Sequence, residues 1–263
     1  MIVCLEDYMA NIQSLPILLK ELRLAAIAKQ WENIAQKAIT EQWEPALFLA
    51  ELCEIEANQR HESRLQRLLR DSKLPVGKQL HQYDFDEVEG VTSLQIKQKV
   101  NQIDWVKQGH NMLLFGASGL GKTHLACAIG YGLLEKAVRV KFSTSTAIVQ
   151  ELQRAKETLG LNEALRKLDK YELLILDDIG YVKKNDSESQ VLFELIAHRY
   201  ERGSMLITSN QAFSEWDSIF GDNMMTVAAI DRLVHHSDIY QIKGESYRKK
   251  QAMKPKSDTG QVN

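Results

Sequence analysis

Between residues 76 and 254 the chain contains no proline; its four prolines stand at positions 16, 45, 75 and 255. A long proline-free stretch leaves helices and central strands uninterrupted, because proline removes a backbone donor from either. Cysteine is scarce as well. Cys4, Cys53 and Cys127 lie far apart and form no C-x-x-C pair, which argues against a disulfide framework or a cysteine zinc site and suits a reducing compartment. Charge of one sign is also lacking. With 33 basic and 35 acidic residues the net charge is −2, so nucleic acid is not attracted globally and any such contact must come from local patches. No apolar run approaches the ~18 residues that span a bilayer. Met1-Ile2-Val3-Cys4-Leu5 meets Glu6 and Asp7 too soon to serve as a signal peptide. These absences point to a cytoplasmic protein with no membrane partner.

What is present begins with Gly116-Ala117-Ser118-Gly119-Leu120-Gly121-Lys122-Thr123, a complete G-x-x-x-x-G-K-[ST] phosphate-binding loop. The apolar run Asn111-Met112-Leu113-Leu114-Phe115 before it reads as a buried strand, and the Leu- and Ala-rich segment from His124 to Glu135 reads as a helix. In that setting the glycines let backbone N–H groups surround a phosphate at a helix N-terminus. Lys122 can reach the β- and γ-phosphates, and the Thr123 hydroxyl can ligate Mg²⁺. The pattern points to ATP or another nucleoside triphosphate; no Asn-Lys-x-Asp segment is present to read guanine.

The rest of the chain falls into place around that loop. Residues 1–77 read as a small all-helical domain: Leu15, Leu18, Leu19 and Leu22 share one helical face, as do Phe48, Leu52 and Ile55, and Pro45 fits a first helical turn. The pattern stops at Leu74-Pro75-Val76-Gly77, where a domain boundary is expected. Residues 78–250 alternate strand and helix, with candidate strands at 111–115, 138–142, 173–177, 204–208 and 239–242. The expected fold is α/β, a parallel sheet flanked by helices. Residues 251–263 read as a disordered polar tail.

Two more strand ends carry chemistry. Leu173-Leu174-Ile175-Leu176 runs into Asp177-Asp178; beside a phosphate loop, Asp177 would hold Mg²⁺ and Asp178 would polarise the attacking water. Met205-Leu206-Ile207-Thr208-Ser209-Asn210 is expected between the loop strand and the acidic strand. Asn210 could bond the lytic water or the γ-phosphate without adding charge, or simply cap the following turn. In Ile230-Asp231-Arg232-Leu233, Arg232 is either an arginine finger for a neighbouring subunit or an exposed helical arginine paired with an acid. His235-His236 offers two imidazoles with no further ligand at metal-binding spacing, so no metal is assigned to them.

The ordered set of these segments resembles the insertion-sequence ATP-binding proteins called IstB. It comprises the loop with His124-Leu125-Ala126, Asp177-Asp178-Ile179-Gly180-Tyr181, Arg199-Tyr200-Glu201, Ile207-Thr208-Ser209-Asn210, Asp231-Arg232-Leu233-Val234-His235-His236 and Gly244-Glu245-Ser246-Tyr247-Arg248. The family is similar to the helicase loader DnaC, within the AAA+ ATPases. The resemblance implies a P-loop AAA+ ATPase that uses ATP and Mg²⁺ and assembles as a homo-oligomer on double-stranded DNA. It implies that the protein helps a separate transposase use its target, with Arg232 as the finger; a replicative helicase loader is the alternative. Residues 249–263, which alone follow Arg248, leave no room for a C-terminal lid. Relatives of this kind often carry Glu at the position of Asp178, so slow hydrolysis, or an ATP-gated scaffold that does not hydrolyse, stays open.

For DNA, Arg60, Arg64 and Arg67 share one helix face, with Arg70 and Lys73 nearby and Leu65, Leu68 and Leu69 on the adjacent face. Such a stripe could neutralise phosphates without regard to sequence, or be a solvated face balanced by Glu54, Glu56 and Glu62. Lys183 and Lys184 follow the acidic strand where loops line the central channel in oligomeric relatives; the alternative is plain surface.

Overall fold

The computed structural model describes residues 14–180, 185–220 and 223–247. The chain divides into two compact units, Met1–Arg67 and Leu68–Asn263. The division falls ahead of the Leu74-Pro75 break expected from sequence. The reason is packing: Leu74 is buried, its methyls approach Gly130, and the Tyr131 hydroxyl donates to the Pro75 carbonyl at 3.1 Å. The segment just before the break therefore belongs with the larger unit.

The smaller unit holds α1 (Leu15–Glu21), α2 (Ala25–Thr40) and most of α3 (Pro45–Ser72). Pro45 opens α3, where its missing N–H costs little. Leu19, Ile27 and Leu52 form a small core with Leu15, Leu24, Trp31, Ile34 and Phe48 against it. Of the four leucines expected on one face, Leu18 and Leu22 are 44% and 66% exposed. Helix α1 is only seven residues long, and the chain turns at Arg23 (φ 57°) before a full stripe can form. Helix α2 has no side-chain cap of its own. Glu56 of α3 supplies one: its carboxylate accepts from the Ala26 and Ile27 N–H groups at 2.8 and 3.3 Å, satisfying donors that a helix start leaves open. Burial works against the charged form of Glu56, yet bonds from Arg60, Ala26 and Ile27 hold its carboxyl below the usual range.

The larger unit runs through β1 (Val88–Glu89), α4 (Ser93–Asn101), α5 (Asp104–Lys107), β2 (Asn111–Phe115), α6 (Lys122–Glu135), β3 (Val140–Thr144), α7 (Ser145–Glu157), α8 (Leu161–Leu168) and β4 (Leu173–Asp177). It continues with α9 (Asp186–Arg199), β5 (Ser204–Ser209), α10 (Asp217–Phe220), α11 (Asn223–Val234), β6 (Ser237–Gln241) and β7 (Lys243–Gly244). Five strands form a parallel sheet in the order β3-β4-β5-β2-β6. The apolar runs of β2, β4 and β5 are buried throughout, as strands covered on both faces must be. The expected place of β5 between the acidic strand and the loop strand is observed. Strand β3 starts two residues later than expected. Ala137 (φ 62°) closes α6, and the Val138 N–H donates back to the Leu133 carbonyl at 3.0 Å, so Val138 still belongs to the helix end. Strand β6 begins at Ser237, earlier than expected, because its register with β2 starts at Asn111.

Arg199, at the end of α9, is 2% exposed and braces the sheet. Its guanidinium donates to the carbonyls of Leu168, Tyr171, Glu172 and Ser204 at 2.9–3.3 Å. Burial draws its pKa down to about 10, which still leaves it charged at neutral pH. Replacing it takes a donor from four carbonyls in a site closed to most solvent; those of Leu168 and Glu172 keep a backbone donor from Tyr171 and Ser204. Arg199→Met should cost about 3 kcal/mol or more in urea unfolding. Arg199→Lys should recover only part of that, since one ammonium cannot reach four carbonyls in a planar fork.

Candidate nucleotide site

The carboxyl ends of β2, β4 and β5 lie side by side in the sheet, the edge where parallel α/β sheets bind ligands. From β2 the loop 116–121 leads into α6. Gly121 adopts φ 78°, and a Cβ there would stand 2.9 Å from the Tyr83 ring, so both conformation and space demand glycine. Gly119 (φ 89°) is covered by Ser246, and the Tyr247 N–H donates to the Gly119 carbonyl at 3.0 Å. The loop is thus gripped from outside the sheet by two segments, and β1 pairs antiparallel with β7 between them. Lys122 is buried, with Nζ donating to the Gly116 and Ala117 carbonyls at 2.7 and 2.9 Å. No side chain caps the start of α6, the end of a helix at which N–H groups and the dipole favour an anion.

The acidic pair is held from two sides. Asp177 is 8% exposed, and its carboxylate accepts the Thr123 hydroxyl at 2.8 and 3.0 Å and the Thr208 hydroxyl at 2.7 Å. The same Thr208 oxygen accepts the Asp178 N–H at 2.8 Å, and the Thr208 carbonyl accepts the Ile179 N–H at 3.0 Å. These bonds fix Asp178 in the left-handed region, φ 63°, a strain on the order of 1–3 kcal/mol that surrounding contacts must outweigh. Asp visits that region far more readily than Glu, which gives a backbone reason for Asp at this position.

A cavity of about 830 Å³ collects these groups. Residues 118–124, Asp178, Thr208 and Asn210 line it, joined by Lys78, Tyr83, Asp84, Glu245 and Tyr247. Ala117 contributes its carbonyl to Lys122, and Gly116 continues β2 by donating its N–H to the Ser209 carbonyl at 3.2 Å. Tyr83 packs edge-on to Phe85 and His124, its hydroxyl donating to the Leu120 carbonyl at 3.4 Å, and burial pushes its phenol up to about 12. Sequence reading assigned no role to Thr208, Lys78, Tyr83 or Tyr247, although Thr208 and Tyr247 stand inside the segments Ile207-Thr208-Ser209-Asn210 and Gly244-Glu245-Ser246-Tyr247-Arg248 singled out there.

The remaining candidates lie elsewhere. Arg232 donates to the Ala228 carbonyl at 2.8 Å, sits over the Phe193 ring at 5.3 Å and lines a separate depression with Tyr200, Met224 and Val227. Of the basic stripe, Arg60 bonds Glu56 through Nε at 2.8 Å and the Arg23 carbonyl through Nη2 at 2.8 Å, while its side chain stays 58% exposed. Its pairing with Glu56 is the acid balance that the sequence offered as the alternative. Arg64 and Arg67 are exposed. Lys183, Lys184, Arg248 and the 251–263 tail lie outside the described residues.

For Mg²⁺, the Thr123 hydroxyl and Asp177 carboxylate supply two adjacent hard oxygens below the phosphate loop, the donor chemistry this ion takes alongside phosphate oxygens and water. The residues fit the ion.

A phosphate loop, an acidic strand and a hydroxyl-bearing strand on one edge of this five-stranded sheet define a protein of the P-loop class. The solved structure of the DnaC helicase loader shares the fold, with a TM-score of 0.54 at 21% identity over 64% of this chain and 98% of that one. The family described as IstB-like ATP binding protein matches residues 17–255, and the chain belongs to it. A protein of Sinorhizobium fredii named for an insertion sequence and for ATP binding is 46% identical over 94% of this chain and 83% of its own length. The similarly named protein of insertion sequence IS21 from Pseudomonas aeruginosa is 34% identical over 91% and 90%. Among the described residues no helix is long and apolar enough to cross a membrane.

Lys122→Ala removes the one ammonium placed inside the loop. Fluorescent-ATP titration should show affinity reduced by at least about tenfold, a loss of ~1.4 kcal/mol, while far-UV circular dichroism stays unchanged.

Proposed function

We propose that this chain is a DNA-stimulated ATPase that assembles as a homo-oligomer on double-stranded DNA, remodels it and recruits a transposase. The supporting observation is the division of the site. Asp178 and Asn210 face the same cavity as the phosphate loop, whereas Arg232 lines a different surface beside the exposed Met224 and Val227. A site divided in this way is completed by the arginine of a second copy.

In this reading Lys122 and the loop N–H groups hold the β- and γ-phosphates, and Thr123 and Asp177 hold Mg²⁺, which screens the phosphate charge. Asp178 orients and polarises the attacking water, and Asn210 bonds that water or the γ-phosphate. Thr208 is a positioning residue: one hydroxyl fixes both the Asp177 carboxylate and the Asp178 backbone. Arg232 from the neighbouring subunit stabilises charge on the transferring phosphoryl group. The names of the relatives place them in insertion sequences, and that context supports DNA and a transposase as partners in the cytoplasm. Exposed Arg64 and Arg67 are the described arginines best placed for phosphate contact, with Lys183 and Lys184 as further candidates.

An ATPase assay with and without duplex DNA, run beside sedimentation velocity, tests the reading. ATP and DNA together should produce a large oligomer and faster turnover. Arg232→Ala and Asp178→Asn should each bind ATP yet lose at least about tenfold in rate. Mixing the two inactive variants should restore part of the activity, because each supplies the group the other lacks. No recovery in a mixture that still co-sediments would place the finger within one subunit.

For DNA, Arg64→Glu with Arg67→Glu should lower duplex affinity for every sequence and reduce the salt slope by roughly two units. Arg60→Ala should leave that slope unchanged and instead loosen the helical unit, seen as earlier unfolding of α2 in hydrogen exchange.

A further inference from the structure

The opposite edge of the sheet, where β2, β5 and β6 begin, gathers a second chemical cluster. His110 immediately precedes β2, Glu201 lies just before β5, and His235 and His236 connect α11 to β6. Ligand atoms of Glu201, His235 and His236 all lie within 4.8 Å of one another, and the three side chains are exposed. The rings of His235 and His236 are 4.1 Å apart, and His110 stacks on His236 at 5.1 Å and 10°. Sequence spacing gave the two histidines no third ligand; the parallel crossovers bring Glu201 to them.

We propose that Glu201, His235 and His236 form a binding site for a divalent transition-metal ion of the zinc class. Two imidazoles and one carboxylate suit such an ion far better than Mg²⁺, which selects oxygen. Bound at about 2.0–2.2 Å, three ligands of a tetrahedral ion sit roughly 3.4 Å from each other. The backbone beneath both histidines is already tied down. The Asn111 N–H donates to the His236 carbonyl at 2.7 Å and the His235 N–H to the Asp231 carbonyl at 3.0 Å. The Tyr200 hydroxyl lies 2.8 Å from His235 Nδ1, orienting one ring nitrogen as outer partners of metal-bound histidines do. A tetrahedral ion keeps one position open for water, and His110 is the adjacent imidazole of matching chemistry. The site is separate from the nucleotide cavity and does not depend on the proposed ATPase.

Isothermal titration calorimetry with zinc chloride on the nucleotide-free full chain provides the test. One Zn²⁺ per chain should bind, and excess Mg²⁺ should not compete. His236→Ala and Glu201→Gln, both at exposed positions, should each weaken binding by at least about tenfold. Asp177→Asn should bind Zn²⁺ as the parent does, separating this site from the phosphate loop. A parent that takes up no Zn²⁺ at 100-fold excess over protein, or two ligand variants that bind like the parent, would overturn the assignment.

Discussion

The Asp177 carboxylate is the point on which the nucleotide site depends. Buried at the end of β4, it accepts hydroxyls from Thr123 at the start of α6 and from Thr208 on β5. A buried carboxylate left without donors would be costly on the order of several kcal/mol. The fold meets that demand by drawing the ends of three adjacent strands to one carboxylate. The same Thr208 hydroxyl then takes the Asp178 N–H and holds that residue left-handed. The Thr123 hydroxyl, the Asp177 carboxylate and the Asp178 backbone are therefore set by one hydrogen-bond chain, whose members come from the start of α6 and the ends of β4 and β5.

The loop itself is held less by its glycines than by what covers them. Tyr83 and Ser246 close over Gly121 and Gly119 from segments far apart in sequence. The short β1–β7 pair joins those segments. Glycine is needed at both positions for its conformation and for the missing Cβ, so the two requirements reinforce each other. A nucleotide entering the cavity meets Lys78, Tyr83 and Tyr247 as well as the loop.

In the helical unit, charge has been turned to internal use. Glu56 caps α2 from a neighbouring helix and Arg60 neutralises it, so part of a basic stripe that looks outward in sequence is structural. An i, i+4, i+7 pattern states only which residues share a face. It does not state that Glu56, one turn away, will also be buried against the start of α2 and that Arg60 will reach the Arg23 carbonyl there.

Sequence alone determined the phosphate loop, the acidic strand end and the β2, β4 and β5 runs, because these are local. Glycine at a left-handed turn, unbroken apolar residues in a strand buried on both faces, and lysine in a fixed loop each follow from backbone geometry within a few residues. It also determined the position of β5 between β4 and β2, through the distance along the chain from the phosphate loop and the acidic pair. Tertiary structure decided the rest. That Thr208 governs both aspartates, that Glu56 and Arg60 reach the start of α2, and that Glu201 meets His235 and His236 all require strands and helices distant in sequence to become neighbours. Parallel crossovers create such neighbours by packing apolar faces, and the polar groups brought together leave no trace in the spacing of the chain.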